Sequence, residues 1–328
     1  MALLNPAATL PSSSRDAQEL FDERYNAAQL MAQPQTWVSE LGEEHTTPAL
    51  ETKYPMSVLA LKFAEVKNEG TFKTIGEREC TLTVAEYREG VEIEIVKVCS
   101  NSFAAKRWTD AAAAFVQAEQ QFKLKLIADA LVANAAGACG WDDLALFHDA
   151  HLSNPKDSGS ATFDNLQATT KNVADLAVLE AEITAMAEVL DINGDPLGVM
   201  PTHIGVPRQK FQALKNLLKQ DFVPSAAGTA TMRNPYNDAG LTVVCMNQLT
   251  DNNDWYLFDM NLISKGVPPW TLAKLSLPGP GFNELGLRHW DMSNSDDCRR
   301  KGTIAVSQHI FYGYKFLYPH AVRKIAGA

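Results

Sequence analysis

With 328 residues, 46% of them hydrophobic and 21% charged, the chain is long enough for one large domain or two interleaved ones. Its formal charge is −10 and it has no Lys/Arg run long enough to serve as a basic patch. This argues against a sequence-specific DNA binder, which neutralises phosphates with clustered cations, but not against a container that holds DNA behind a neutral or acidic wall.

The five cysteines, Cys80, Cys99, Cys139, Cys245 and Cys298, are odd in number and never in CxxC spacing. They read as free thiols in a reducing compartment, with neither a disulfide framework nor a zinc site implied. The opening MALLNPAATLPSSSRD lacks the cationic start and apolar run of a signal peptide. No apolar run approaches the roughly 20 residues that span a bilayer, so no membrane partner is expected and the protein is made and assembled in a cytosol.

In chain order, residues 1–50 read as an arm, with one helix over Asp16–Met31 and then Pro34, Trp37 and the polar GEEHTTP. It holds too few apolar residues to fold alone and needs a surface to lie on, its own body's or a neighbour's. From Met56 to Val98 the pattern is of strands around a polar, Gly-containing tip, KNEGTFKTIGERE. GVEIEIVKV alternates, with Val91, Ile93 and Ile95 on one side and glutamates on the other. Asn101 or Ser102 caps a helix running to about Ala135, striped by Trp108, Ala112, Phe115, Phe122, Leu126 and Ala130. A second helix carries Leu176, Leu179, Ile183, Met186 and Leu190 behind Asp175 as cap, and the turn INGDP ends it. THIGV is a strand, and Pro207 starts a helix with Phe211, Leu214 and Leu218 on one face. Strands follow at LTVVCM, DWYLF, WTLAKL and GTIAVSQHIFYGYKFL, before the tail YPHAVRKIAGA.

Motifs that could carry chemistry are few. His148 and His151, with Cys139 upstream, could in principle ligate zinc, but no second Cys/His pair stands at the expected distance, and a surface loop with two histidines is the favoured reading. Asp191–Asp195 resembles the start of a calcium loop, but Gly194 falls at its fourth place and Thr202 at its twelfth, so a tight turn is preferred. GxSxG, GxxxxGK[ST] and GxGxxG are all missing, and LPGPGF reads as a loop. The adjacent pairs Asp142-Asp143 and Asp296-Asp297 are expected in solvent. No catalytic residue, cofactor or metal is assigned, and an enzyme is not expected.

Four strings in order resemble the Hong Kong 97-type capsid fold, and in particular Mu-like phage major head subunits. They are WDDLALFHDAHLSN after a long helix; DINGDPLGVMP followed by HIGVPRQKFQALKNLL; NPYNDAGLTVVCMNQLTDNNDWYLFDMN; and DDCRRKGTIAVSQHIFYGYKFLYPHAVRKI. The resemblance implies an α+β chain with an N-arm (1–51), an E-loop hairpin (52–88), a peripheral domain (89–164 and 296–328) with its spine helix at about 102–135, and an axial domain (165–295). It implies a major capsid protein that assembles with itself as hexamers and pentamers, with a portal, a separate scaffold, a possible decoration protein and packaged double-stranded DNA as partners. Lys67, Glu69, Lys73 and Arg78 around the hairpin, with Trp37 in the arm and Trp108 on the spine, are the candidate assembly residues. In the type member a Lys–Asn cross-link joins subunits. Here Lys67 and Lys73 lie in the tip with no identified Asn partner, so no cross-link is expected. A long scaffolding segment is lacking, so trimming of the amino end is not expected. Deleting residues 1–30 is expected to leave a foldable subunit that fails to close shells, and reversing charge at Glu69, Lys73 or Arg78 to impair assembly more than folding. Two other readings compete: an encapsulin-like cellular compartment shell with the same fold, and a metal-dependent enzyme using the His148/His151 loop.

Overall fold

The computed structural model describes residues 10–32, 36–56, 78–224, 231–237, 240–276 and 286–327. Helix α1 (Ser14–Met31) starts where the Ser13 side chain accepts from the Asp16 amide, and Ala17, Phe21 and Tyr25 bury one face at four-residue spacing. After α2 (Thr36–Glu40) come β1 (Glu43–Thr47), β2 (Glu51–Met56), β3 (Arg78–Thr83) and β4 (Ala85–Glu94). The expected strand GVEIEIVKV ends early, because Ile95–Ser100 form helix α3. Glu94 pairs with Thr303, the first residue of its partner strand, and the Ile95 amide bonds to the Gly302 carbonyl; with no ladder beyond, the chain coils.

Helix α4 (Ser102–Ala133) has 32 residues, no Gly or Pro, an Asn101 cap and a left-handed Asn134 at its end. At 1.5 Å per residue it is about 48 Å long. Its first half presents Trp108, Ala112 and Phe115 to α1, while its second half presents Leu124, Ile127 and Leu131 to a different core containing Trp37, Leu41 and Trp270. One beam therefore joins two cores.

The rest of the chain gives β5 (His151–Leu152), β6 (Thr162–Phe163), β7 (Leu166–Lys171), α5 (Leu176–Ala187), β8 (His203–Val206) and α6 (Arg208–Lys219). Then follow β9 (Phe222–Pro224), β10 (Thr231–Arg233), β11 (Thr242–Cys245), β12 (Trp255–Phe258), α7 (Met260–Ser264) and β13 (Trp270–Leu275). The last elements are β14 (Leu287–Trp290), α8 (Asp296–Lys301), β15 (Thr303–Phe316) and β16 (Val322–Gly327). Asp175 caps α5 and Pro207 precedes α6, as the sequence predicts.

Two five-stranded sheets dominate. In the first, β15 takes β4 along one edge and β14 and β13 along the other, and β1 adds in parallel to β13. In the second the order is β11-β8-β12-β16-β7. The expected boundaries at 165, 295 and 328 do not follow these sheets. Strand β13 belongs with β15, and the last strand, β16, lies inside the second sheet between β12 and β7. The short turn Pro319–Ala321 carries the chain across, so the two sheets share consecutive strands of one tail. Ile204, Trp255, Leu257 and Ile325 of the second sheet face α5 and α6, while Tyr256, Phe258 and Val322 face the end of α4.

Strands β2 and β3 form a separate two-stranded ladder, Glu51 opposite Thr83 and Met56 opposite Arg78. Its root is pressed onto β15 at Gly313, where a side chain would run into the Thr83 carbonyl. The polar tip between them, with Lys67, Glu69 and Lys73, and the loop LPGPGF lie outside the described residues.

Candidate functional site

The loop expected at the surface has part of its polar set enclosed, while His148 and Asp149 stay accessible. His151 has no exposed surface: its Nδ1 lies 2.8 Å from Asp142 Oδ2, its Nε2 3.0 Å from the Leu146 carbonyl, and its ring stacks on Phe163. Asp142, expected in solvent, has an inaccessible side chain. Burial pushes its carboxyl up, but hydrogen bonds from His151 and from the Leu144 and Leu152 amides outweigh that and hold it below the usual carboxylate value. Only Asp143 is solvated, and it pairs with Arg78, which lies opposite Met56 at the end of the ladder away from Gly313. The reason is tertiary: Trp141 inserts beside Tyr318 and His320, donates to the Leu152 carbonyl at 2.8 Å, and draws its neighbour Asp142 inside. The second acidic pair, Asp296-Asp297, is exposed as expected.

This arrangement engages most of the atoms that a metal would need in this loop. Both nitrogens of His151 are engaged, His148 Nδ1 accepts from the Ala150 amide at 3.0 Å, and Cys139 donates its thiol to the Leu317 carbonyl while burial pushes its pKa up to about 12. Among the described residues no group of three or more His, Cys, Asp or Glu could hold an ion. The Asp191–Asp195 segment is a turn, with Gly194 left-handed and Asp191 accepting from the Asn193 and Asp195 amides. No helix among the described residues is long and apolar enough to cross a membrane.

His320 completes the pocket. It is fully buried between Trp141 and Phe163, at ring distances of 4.8 and 4.7 Å, and neither of its nitrogens has a hydrogen-bond partner. Burial, reinforced by the neighbouring His151 and opposed by Asp142, lowers its pKa to about 3. Between the ordinary imidazole value near 6.5 and that depressed value, the unfolded chain binds a proton that the folded chain refuses, so stability falls as pH falls. By pH 5 the expected loss is roughly 2 kcal/mol, about 1.36 kcal/mol per pH unit below 6.5. Thermal unfolding at pH 7 and pH 5 checks it: His320→Phe should lose most of the wild-type slope, and an identical slope in both proteins would refute the assignment.

A second polar cluster fastens the beam. Glu119, midway along α4, accepts from Lys274 Nζ at 2.6 Å, Tyr312 OH at 2.7 Å and Gln308 Nε2 at 2.8 Å, and Gln308 also donates to the Tyr25 hydroxyl at 3.0 Å. Burial raises the Glu119 carboxyl, but the Lys274 charge and these donors bring it below its ordinary value. Tyr25 is pushed up to about 12 by burial and by Glu119. One carboxylate thus joins α1, α4, β13 and β15.

The sequence-derived assembly residues are spread across the molecule. Lys67, Glu69 and Lys73 fall outside the described residues. Arg78 is described and spends its guanidinium on Asp143 of its own chain. Trp37 is 5% exposed, edge-on to Trp270, with its indole donating to Gln248 at 3.3 Å. Trp108 is 2% exposed and donates to the Ala17 carbonyl at 2.8 Å. Both indoles hold the amino-terminal segment to its own body and have little surface left to offer a neighbour.

Comparison with known proteins interprets the arrangement. No curated protein matches the chain. Among solved structures it is similar to the procapsid of bacteriophage JBD30, at 12% identity and a TM-score of 0.51, over 95% of this chain and 74% of that one. It is also similar to the capsid of an empty GTA particle, at 12% identity and a TM-score of 0.50, over 93% of this chain and 98% of that one. At such identities the likeness is one of fold, the mixed α+β Hong Kong 97 type. A family model described as phage capsid protein matches residues 103–287, more than half of the chain. The chain belongs to the phage capsid protein family.

It is a major capsid protein, a structural subunit that associates with its own kind in the shell of a phage head, and its place is the virion. The His151 pocket and the Glu119 cluster are accordingly features of a capsid subunit's interior, joining elements distant in sequence. The sequence analysis reads the His151 loop as a surface feature and does not single out Glu119, although Glu119 left a trace there. Glu119 falls four residues after Phe115 and three before Phe122, inside the apolar stripe of the spine helix.

Proposed function

We propose that this capsid subunit forms hexamers and pentamers that close into an icosahedral head around double-stranded DNA, and that its hairpin is a part offered to neighbouring subunits. The observation that carries this reading is the separateness of the β2–β3 ladder. It joins neither large sheet, it is rooted on β15 at Gly313, and it holds only the ends of a longer segment. A two-stranded ladder gains little stability alone and is completed by packing against other surface. Portal, a separate scaffold and any decoration protein belong to the same proposal, as does contact with DNA that reads no sequence. The narrower likeness to Mu-like head subunits rests on the four sequence strings alone, as does the expectation that no covalent cross-link forms. A non-catalytic role also belongs here, supported by the engaged state of His148, His151 and Cys139.

Electron microscopy of the purified, concentrated protein tests the reading. Closed shells with five-fold and six-fold capsomers are expected, and uniform monomers or dimers under every condition would contradict it. Shells that co-purify with a protein cargo and exclude nucleic acid would favour the cellular compartment instead.

A further inference from the structure

Charge is segregated along the segment that builds the helical face of the second sheet. Residues 172–195 contain Asp175, Glu180, Glu182, Glu188, Asp191 and Asp195 and no Lys or Arg. Residues 196–219 contain Arg208, Lys210, Lys215 and Lys219 and no carboxylate. Folding carries the two halves to opposite ends of one sheet. Helix α5 lies over β16 and β7, fastened by Glu182 to Arg323 at 2.9 Å and to Gln167 at 3.2 Å. Helix α6 packs on β8 and β11, at the other end of the strand order. Four strand spacings of ~4.8 Å place those edges about 19 Å apart.

Arg208, Lys215 and Lys219 are exposed on α6, and Asp175, Glu180 and Glu188 are exposed at the start of α5, on it and just past its end. Among the described residues none of these six side chains enters an ion pair. Apolar surface borders the cationic face as well. Lys215 lies 5.3 Å over the Phe211 ring, and Phe222, just past α6, is 67% exposed.

We propose that the cationic face of α6 in one subunit docks against the acidic face of α5 in the next copy of the chain. Two different patches of opposite sign at opposite ends of one sheet make a head-to-tail contact, and a head-to-tail contact that closes generates a ring. Complementary charge at such a contact sets partner orientation and excludes like-on-like pairing. This inference rests on the capsid reading and names the surface by which neighbours in a capsomer recognise each other.

Three variants test it: Arg208→Glu/Lys215→Glu/Lys219→Glu on α6, Glu180→Lys/Glu188→Lys on α5, and all five changes in one chain. All the altered side chains are exposed, so thermal unfolding should stay near wild type and confirm folded subunits. By sedimentation and microscopy each one-sided variant should yield at least tenfold fewer oligomers and shells at low salt, and the five-fold variant should recover most of the yield. The two one-sided variants mixed together should form alternating oligomers that neither forms alone. That readout does not depend on shell closure, so it separates failure of this inference from failure of the capsid reading. One-sided variants that assemble like wild type, a five-fold variant as poor as its parents, or a mixture that stays monomeric would each overturn the proposal. So would shells of normal yield whose only defect, on reversing α6, is loss of packaged DNA, since the partner would then be nucleic acid.

Discussion

Replacing Arg323 with methionine is expected to destabilise the subunit by about 3–5 kcal/mol, the usual cost of removing one partner of a buried ion pair. The Arg323 and Glu182 side chains are each 4% exposed. Arg323 Nε donates to Glu182 at 2.9 Å and its Nη1 to the Asp164 carbonyl at 2.9 Å. Without the guanidinium, the Glu182 carboxylate is left in an apolar layer with only Gln167 as donor. The double variant Arg323→Met/Glu182→Leu should recover most of the loss, because an apolar pair fills the space with no stranded charge. Urea unfolding of the isolated subunit measures both. A single-variant loss below about 1 kcal/mol, the range of solvated pairs, would show that the pair is not sealed from water. The function at stake is the link between α5 and the carboxyl-terminal strand, without which the helical face of the second sheet would loosen.

Trp108→Ala is expected to cost about 3–5 kcal/mol, the range for emptying a large aromatic site in a core. The indole packs on Phe21 with ring centroids 4.9 Å apart and donates to the Ala17 carbonyl, so it is the main anchor of α1 on the spine helix. Loss of the anchor should also release α1, seen as proteolytic cleavage within Ser14–Met31 under conditions where the wild type is intact. Trp108→Phe, which keeps part of the packing, should fall between the two. Resistance to cleavage in Trp108→Ala would show that Phe115 and the Glu119 cluster hold α1 without it. The same geometry revises the truncation expected from sequence to spare folding. Deleting residues 1–30 strips Phe21 and Tyr25 from Trp108, Phe115 and Gln308, so it should destabilise the subunit itself.

Much of the secondary structure is legible in the residues because local signals and tertiary demands agree. Asn101, Asp175 and Pro207 start helices where capping chemistry says they should, and the absence of Gly and Pro from 102–133 lets the spine run. Alternation misled at Ile95–Ser100, where a strand pattern became α3 because β15 begins at Thr303 and offers no further partner. The interior sites were hidden for a different reason. Asp142, His151 and His320 look like ordinary polar loop residues until Trp141, Phe163 and the Pro319–Ala321 turn close around them. The arm was legible only as a segment needing a surface. That this surface is the chain's own spine helix depends on Phe21 meeting Trp108 across 87 residues of sequence.

By itself the sequence determined the α+β class, the long capped helix, the order of strands and, through four ordered strings, the capsid family. These follow from short-range periodicity, capping and turn chemistry, which need only neighbours along the chain. The tertiary structure alone decided which sheet each strand joins, placing β13 beside β15 and β16 between β12 and β7. It also decided which charged groups are drawn out of solvent, namely Glu119, Asp142, Glu182 and Arg323, and which stand exposed on α5 and α6. The physical reason is common to both. Strand pairing and charge burial depend on contacts between residues far apart in sequence, and a buried charge persists only where the fold brings its partner to hydrogen-bond distance.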